Sequence, residues 1–169
     1  VYNIQSPARD YLVDLNVYLK NMAPQMASQT TVGIDWSNRS YQNEKGFQNE
    51  NTYTTIYYRA RRVSADDLGM SDGEKQKTVS SSLNWVAFKQ QFFSSVMIAP
   101  ENFSYADMKF TTAEKRLGLH KGFFGEIDGS LYGANRPLQL RFLFRSEQIR
   151  HSQACGDDRG GTTNCIWNG

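Results

Sequence analysis

The chain has 169 residues, the length of one ordinary domain, and an apolar share of 39% with 13% aromatic residues supports a core, which excludes a disordered tail. Its 19 basic residues nearly balance 17 acidic ones, so the formal charge of +2 gives no footing for a nucleic acid or an anionic membrane surface. No window approaches the roughly 18 apolar residues of a spanning helix and no basic-then-apolar leader is present; the start at Val1, in strand-like sequence, is expected to be a cut in a longer protein.

Taken in chain order, Tyr11, Val13, Leu15, Val17 and Leu19 alternate with Leu12, Asp14, Asn16, Tyr18 and Lys20, the clearest period-two strand. Pro24 and small polar residues over 23–29 interrupt it before Val32, Ile34 and Trp36 resume the alternation, which predicts a hairpin-like or crossover pair. Residues 37–52, SNRSYQNEKGFQNENT, are amide-rich and short of aliphatics, and predict a solvated loop or a short helical excursion. Residues 53–59, YTTIYYR, predict a strand with Arg59, Arg61 and Arg62 at its exit. Over 64–76, Asp66, Asp67, Asp72 and Glu74 around Gly69 and Gly73 lack the alternate-residue oxygens and terminal Glu of a calcium loop, and predict an exposed linker.

The densest apolar run is 84–99, NWVAFKQQFFSSVMIA. Lys89, Gln90 and Gln91 divide it, and Val86, Phe92, Phe93, Val96 and Ile98 are strand formers, so two extended pieces joined at that corner are expected, with room for one helical turn there. Trp85, Phe92, Phe93, Val96 and Ile98 are the expected core. Residues 100–104 predict a turn, and 105–112 and 137–142 predict strands. Gly118, Gly122, Gly125, Gly129 and Gly133 suit tight turns and a bulged edge; the Gly-Lys-Ser/Thr ending of a phosphate loop is missing. With no helix of three turns evident, the fold class is all-β, a sandwich.

Candidate chemistry is sparse. His120 has Glu126 and Asp128 within eight residues, a pairing able to run general acid–base chemistry on a sugar ring, although on a glycine-rich stretch such residues read first as surface turn positions. Trp36, Tyr41 and the aromatics of 53–58 are candidate sugar-stacking faces, but alternate aromatics on strands are more often core. Cys155 and Cys165 fit a small disulfide loop better than a metal site. No Gly-x-Ser-x-Gly elbow occurs.

The run WVAFKQQFFSSVMIA over 85–99 resembles the Trp-Val-Ala-x-x-Gln-Gln-Tyr/Phe-Phe signature in the periplasmic domain of YidC-type membrane protein insertases, in its Bacteroidetes form. The early alternating strand, the loop after IDW at 34–36, the TTIYYR strand and the strand over 138–142 agree with it. The resemblance implies a β-supersandwich (galactose-mutarotase-like) fragment with long polar loops, holding the C-terminal part of that domain and therefore leaving some apolar strand faces exposed. It implies a periplasmic part of a protein anchored in the inner membrane, with a structural and interaction role in insertion and folding. The implied partners are inserting membrane proteins and the Sec translocon with its accessory subunits. The groove-bearing transmembrane helices lie outside the chain, so no catalytic residue, cofactor or metal is expected; the Gln90–Gln91 corner reads as a family marker that satisfies backbone groups where the chain bends. The competing readings are a mutarotase-like sugar enzyme or lectin, on fold analogy alone, and a free-standing periplasmic binding module.

After Phe142 the chain departs from the family, which continues Phe-Tyr-Phe-Gly-Pro into a helix-forming segment, whereas here LFRSEQIRHSQ follows. One added T turns TTT TAT TTC GGT into TTT TTA TTT CGG T, and codons for 144–153 exist whose next frame reads FGPNKYDILK. The expected organisation is therefore 1–142 as part of the periplasmic β-sandwich domain and 143–169 as an aberrant, frame-shifted tail carrying His151, Cys155, Cys165 and Trp167.

Overall fold

The computed structural model describes residues 1–6, 11–21, 30–43, 45–70, 72–113, 118–131, 136–146, 155–156 and 162–163. The elements are β1 (Tyr2–Gln5), β2 (Leu12–Val17), β3 (Thr31–Tyr41), α1 (Phe47–Thr52), β4 (Thr55–Ala60), β5 (Asp66–Asp67), β6 (Glu74–Val79), β7 (Leu83–Lys89), β8 (Phe93–Thr112), β9 (Leu119–Ser130), β10 (Leu138–Ser146), β11 (Cys155–Gly156) and β12 (Thr162–Thr163). The expected break over 23–29, and Gly133, His151, Cys165 and Trp167, lie outside the described residues.

Strand β8 organises the rest. Its first half runs antiparallel between β10 and β7, and its second half between β9 and β6. A strand of 20 residues cannot serve two sets of neighbours without bending. The bend falls where the register slips, between Leu83 and Trp85 on the β7 side and between Phe103 and Tyr105 on the β9 side. Asn102 sits there at φ 64°, a left-handed conformation that asparagine tolerates better than most side chains. The turn expected over 100–104 is thus a corner inside one continuous strand. It folds the sheet into two facing layers, β1-β2-β10-β8-β7-β4-β5 and β3-β9-β8-β6.

The core lies between the layers. Phe88 of β7 is stacked between Trp36 of β3, at 3.9 Å between ring centroids, and Phe123 of β9, at 5.1 Å. Ile56, Val86, Met97, Phe103, Met108, Phe110 and Ile127 complete it at 0% exposure. The two extended pieces of 84–99 form as expected, joined by a tight corner in which the Gln90 N–H donates to the Phe93 carbonyl at 2.7 Å. The core choice within them is corrected. Phe93 is 51% exposed at an uncovered margin and Phe92 is only half-buried at the corner, while Trp85, Val96 and Ile98 sit half-buried on the outer side of their layer, because a strand with apolar residues at every position presents half of them to each face.

Three further expectations change. β3 pairs with β9, not with β2, which lies between β1 and β10. Residues 37–52 hold the short helical excursion expected, α1, but are not simply solvated: β3 runs on to Tyr41, and α1 buries Phe47, Glu50 and Asn51. The glycine-rich stretch is no edge but the interior strand β9, between β3 and β8. Its glycines admit close packing: a Cβ on Gly129 would come within 2.7 Å of Leu138 Cδ1 and 3.3 Å of Ile34 Cδ1. The anticipated bulge is real and falls at His120, where Ser40 faces Lys121 and Tyr41 faces Leu119.

Candidate functional site

The bulge in β9 is where the polar chemistry gathers. An extra residue there lets both His120 and Lys121 turn away from solvent, and each is at most 1% exposed. Helix α1 covers them. Its Phe47, Glu50 and Asn51 are the buried positions, spaced three and four apart on one face. Glu50 Oε2 lies 2.7 Å from His120 Nε2, and both Glu50 oxygens accept the Asn43 N–H, at 3.2 and 3.0 Å. The Phe47 ring lies 4.5 Å from the His120 ring.

Lys121 donates to the Thr54 carbonyl at 2.5 Å and places its ammonium 4.3 Å from the centre of the Phe110 ring. Burial pushes its amine down to about 8, with the Asp72 carboxylate opposing that shift and Lys75 adding to it. Asn51 Nδ2 donates to Asp72. Ser40 Oγ, Asn51 Oδ1 and His120 Nδ1 have no protein partner.

This arrangement separates His120 from the acids that sequence spacing offered it. Glu126 and Asp128 lie on the outer face of the second layer, where Glu126 stands opposite Asp35 and Asp107, and Asp128 opposite Gly33 and Tyr105. The true partner, Glu50, is 70 residues away in sequence. A histidine–carboxylate pair is competent for proton transfer, but here it is sealed under α1 and serves to hold the helix down. The one available signal for Glu50 was the spacing of Phe47, Glu50 and Asn51 as a short helical face.

The other sequence candidates disperse. Trp36 packs against the core, Tyr58 is buried and Tyr41 and Tyr53 are exposed, so they form no common stacking face. The Tyr58 hydroxyl donates to Asp66 at 2.6 Å; burial first, then this bond and the charges of Asp66 and Asp67, push it up to about 12. The same bond, seconded by the Asp67 N–H, holds the Asp66 carboxyl below its usual value. Asp67 accepts the Gly69 N–H at 2.5 Å, and Glu74 pairs with Lys109 at 2.6 Å. Among the described residues no three His, Cys, Asp or Glu side chains come together as a metal site.

Beyond the Gln90 N–H bond that closes the corner, the Gln90 and Gln91 side chains reach side chains of another segment instead of backbone groups. Gln90 Oε1 accepts from Asn43 Nδ2 at 3.1 Å, and Gln91 Oε1 accepts from Asn49 Nδ2 at 3.4 Å. The corner thereby ties the β7–β8 hairpin to the segment that carries α1.

A second feature is an uncovered apolar margin. Tyr2 and Ile4 pair with Val17 and Leu15 on the core-facing side of β1 and β2. They are 75% and 68% exposed, and Phe93 and Phe144 on the same side are about half exposed. Among the described residues the second layer does not reach this edge. Apolar strand faces left open in this way mark a surface that belongs against something else.

The profile described as the YidC periplasmic domain matches residues 3–126. The chain is also similar to proteins named membrane protein insertase YidC. That of Phocaeicola vulgatus is 38% identical over 115 residues, covering 68% of this chain and 18% of the relative. That of Bacteroides fragilis is 34% identical over 137 residues, covering 80% and 22%. That of Porphyromonas gingivalis is 33% identical over 105 residues, covering 62% and 17%. The chain thus spans about a fifth of the length of the curated relatives it matches. No solved structure matches it significantly.

Proposed function

The chain belongs to the YidC periplasmic domain family, and on that premise we propose that it is the periplasmic part of a membrane protein insertase and chaperone. The family match over 3–126 carries this reading. The role we propose is structural and interactive instead of enzymatic; in its support, the histidine–carboxylate pair is buried and apolar strand faces of β1, β8 and β10 are exposed. The parent protein sits in the inner membrane, with inserting membrane proteins and the Sec translocon and its accessory subunits as partners. Among the described residues no helix is long and apolar enough to cross a membrane. Crosslinking the full-length, frame-corrected protein in membranes tests this: nascent membrane proteins and translocon subunits are the expected adducts, and their complete absence would refute the role.

The domain proposal assigns 1–142 to the sandwich and 143–169 to a frame-shifted tail. Strand β10 continues to Ser146, with Leu143 to Ser146 laddered on β8. A ladder of backbone hydrogen bonds accepts a change of side chains, so the shift point falls inside a strand without ending it. Beyond it, the described residues form the two-residue strands β11 and β12, paired with each other. Sequencing the DNA decides the matter: a run of T at codons 142–144 whose shortening by one base restores Phe-Tyr-Phe-Gly-Pro is expected. A codon run that cannot restore it removes the proposal.

A further inference from the structure

The outer face of the layer β1-β2-β10-β8-β7-β4-β5 is apolar at its centre. Antiparallel register sets Tyr57 of β4, Ala87 of β7 and Val96 of β8 side by side, and in the next outward row Trp85 of β7 beside Ile98 of β8. All of them precede Phe142, so they stand outside the proposed frame-shifted tail. Trp85, Val96 and Ile98 are half-buried, while Val86, Phe88 and Met97 point the other way into the core. Strands apolar on both faces are the mark of a sheet covered on both sides, and the second layer covers one.

The frame of this patch is basic. Arg59 and Arg141, both exposed, close the two ends of the Trp85–Ile98 row. Lys89 stands on the far side of the Tyr57 row, its ammonium 5.4 Å from the centre of the Tyr57 ring. Arg61 and Arg62, exposed as well, follow at the exit of β4. The acids of these rows, Asp14 and Asp67, are engaged: Asp14 pairs with Arg141 at 2.7 Å, and Asp67 accepts the Gly69 N–H at 2.5 Å.

The opposite outer face has the other sign. Asp35 of β3, Glu126 of β9 and Asp107 of β8 stand directly opposite one another, and Asp128 is the next outward residue along β9. Lys109 on that face is taken up by Glu74 at 2.6 Å. The near-balance of charge over the whole chain therefore conceals a sandwich with one basic, aromatic face and one acidic face. A second copy does not suit the basic face, because a two-fold contact would set one ring of cations on another. An anionic bilayer suits it on every count. Its headgroups match Arg59, Lys89 and Arg141, its surface is broad like the sheet, and the headgroup level accepts rings with a polar tip, as Trp85 and Tyr57 have.

We propose that the outer face centred on Trp85, Val96 and Ile98 docks on an anionic lipid bilayer, so that the sandwich lies on the membrane with its acidic face turned away. This goes beyond the family reading, which anchors the parent in the membrane without assigning any face of this domain to it, and its test stands apart from that reading.

Co-sedimentation of the full chain with lipid vesicles tests the proposal. Binding is expected to vesicles of phosphatidylglycerol and phosphatidylcholine at about one to three in low salt, and none to phosphatidylcholine alone. Raising the salt to about 0.5 M is expected to weaken it about tenfold. Brominated lipids in the same vesicles are expected to quench tryptophan emission of the wild type but not of Trp85→Phe, because Trp36 is stacked on Phe88 inside the sandwich. Arg59→Glu combined with Lys89→Glu is expected to weaken binding by about tenfold or more, with unchanged far-ultraviolet circular dichroism. If that variant fails to fold, the salt dependence and the Trp85 quenching decide. Equal affinity for the two vesicles, binding that leaves Trp85 unquenched, or no binding to either would overturn the proposal. Self-association that shields Trp85 in the absence of lipid would do the same.

Discussion

The same layer of sheet holds two regions with one alternating pattern and opposite fates. At its centre, Phe88 is 1% exposed and packed between rings of the second layer. At its margin, Ile4 is 68% and Phe144 47% exposed, although both occupy the core-facing side. The difference is not in propensity, and backbone ladders run through both regions, although β1 at the edge is paired on one side alone. It lies in whether a second layer stands opposite. A β-strand commits residues to a face; only the facing layer turns that face into a core.

The largest effect that sharpens this contrast is Phe88→Ala. It deletes the ring between Trp36 and Phe123 and is expected to cost about 3–5 kcal/mol in urea unfolding. A loss below about 1 kcal/mol, the scale of an unremarkable substitution, would mean that the layers do not meet as described.

An intermediate effect belongs to Lys121. Its folded-state value of about 8 lies below the 10.5 of a free lysine, so between those values the unfolded chain binds more protons than the folded one. The burial penalty is fully present below pH 8, and stability is expected to rise as pH climbs from about 8 towards 10.5. Denaturation midpoints followed across that window in the wild type and in Lys121→Met check this: the rise attributable to Lys121 should vanish in the variant. An identical profile in both proteins would show that the amine is not buried under α1.

The smallest effect is expected at the margin. Ile4→Thr should change unfolding free energy by no more than about 0.5 kcal/mol in urea unfolding, because the side chain already faces solvent. A loss as large as that at Phe88 would place a hidden partner over β1.

Much of this contrast could be read in advance, and the unread part has a common cause. The strands over 84–99 and the alternation of Val32, Ile34 and Trp36 were legible because period two is a local property. The assignment of Trp85, Val96 and Ile98 to the core failed because a run apolar on both faces carries no local mark of which face is inside. His120 was visible as a lone histidine, but its partner was not: sequence distance favoured Glu126 and Asp128, and an alternating strand carried both to the outer face. Glu50 stood in an amide-rich segment whose helical face is only three residues deep.

By itself, then, the sequence determined an all-β chain, its main strands and, through the motif over 85–99, its resemblance to one family. Those properties depend on alternation and on residues a few positions apart. Tertiary structure decided which sheet face became core, that the glycine-rich stretch is an interior strand, and that α1 is bolted to a bulge 70 residues away. These depend on the folding of one long strand around a corner at Asn102, which sets two layers face to face over part of their width and leaves the rest open.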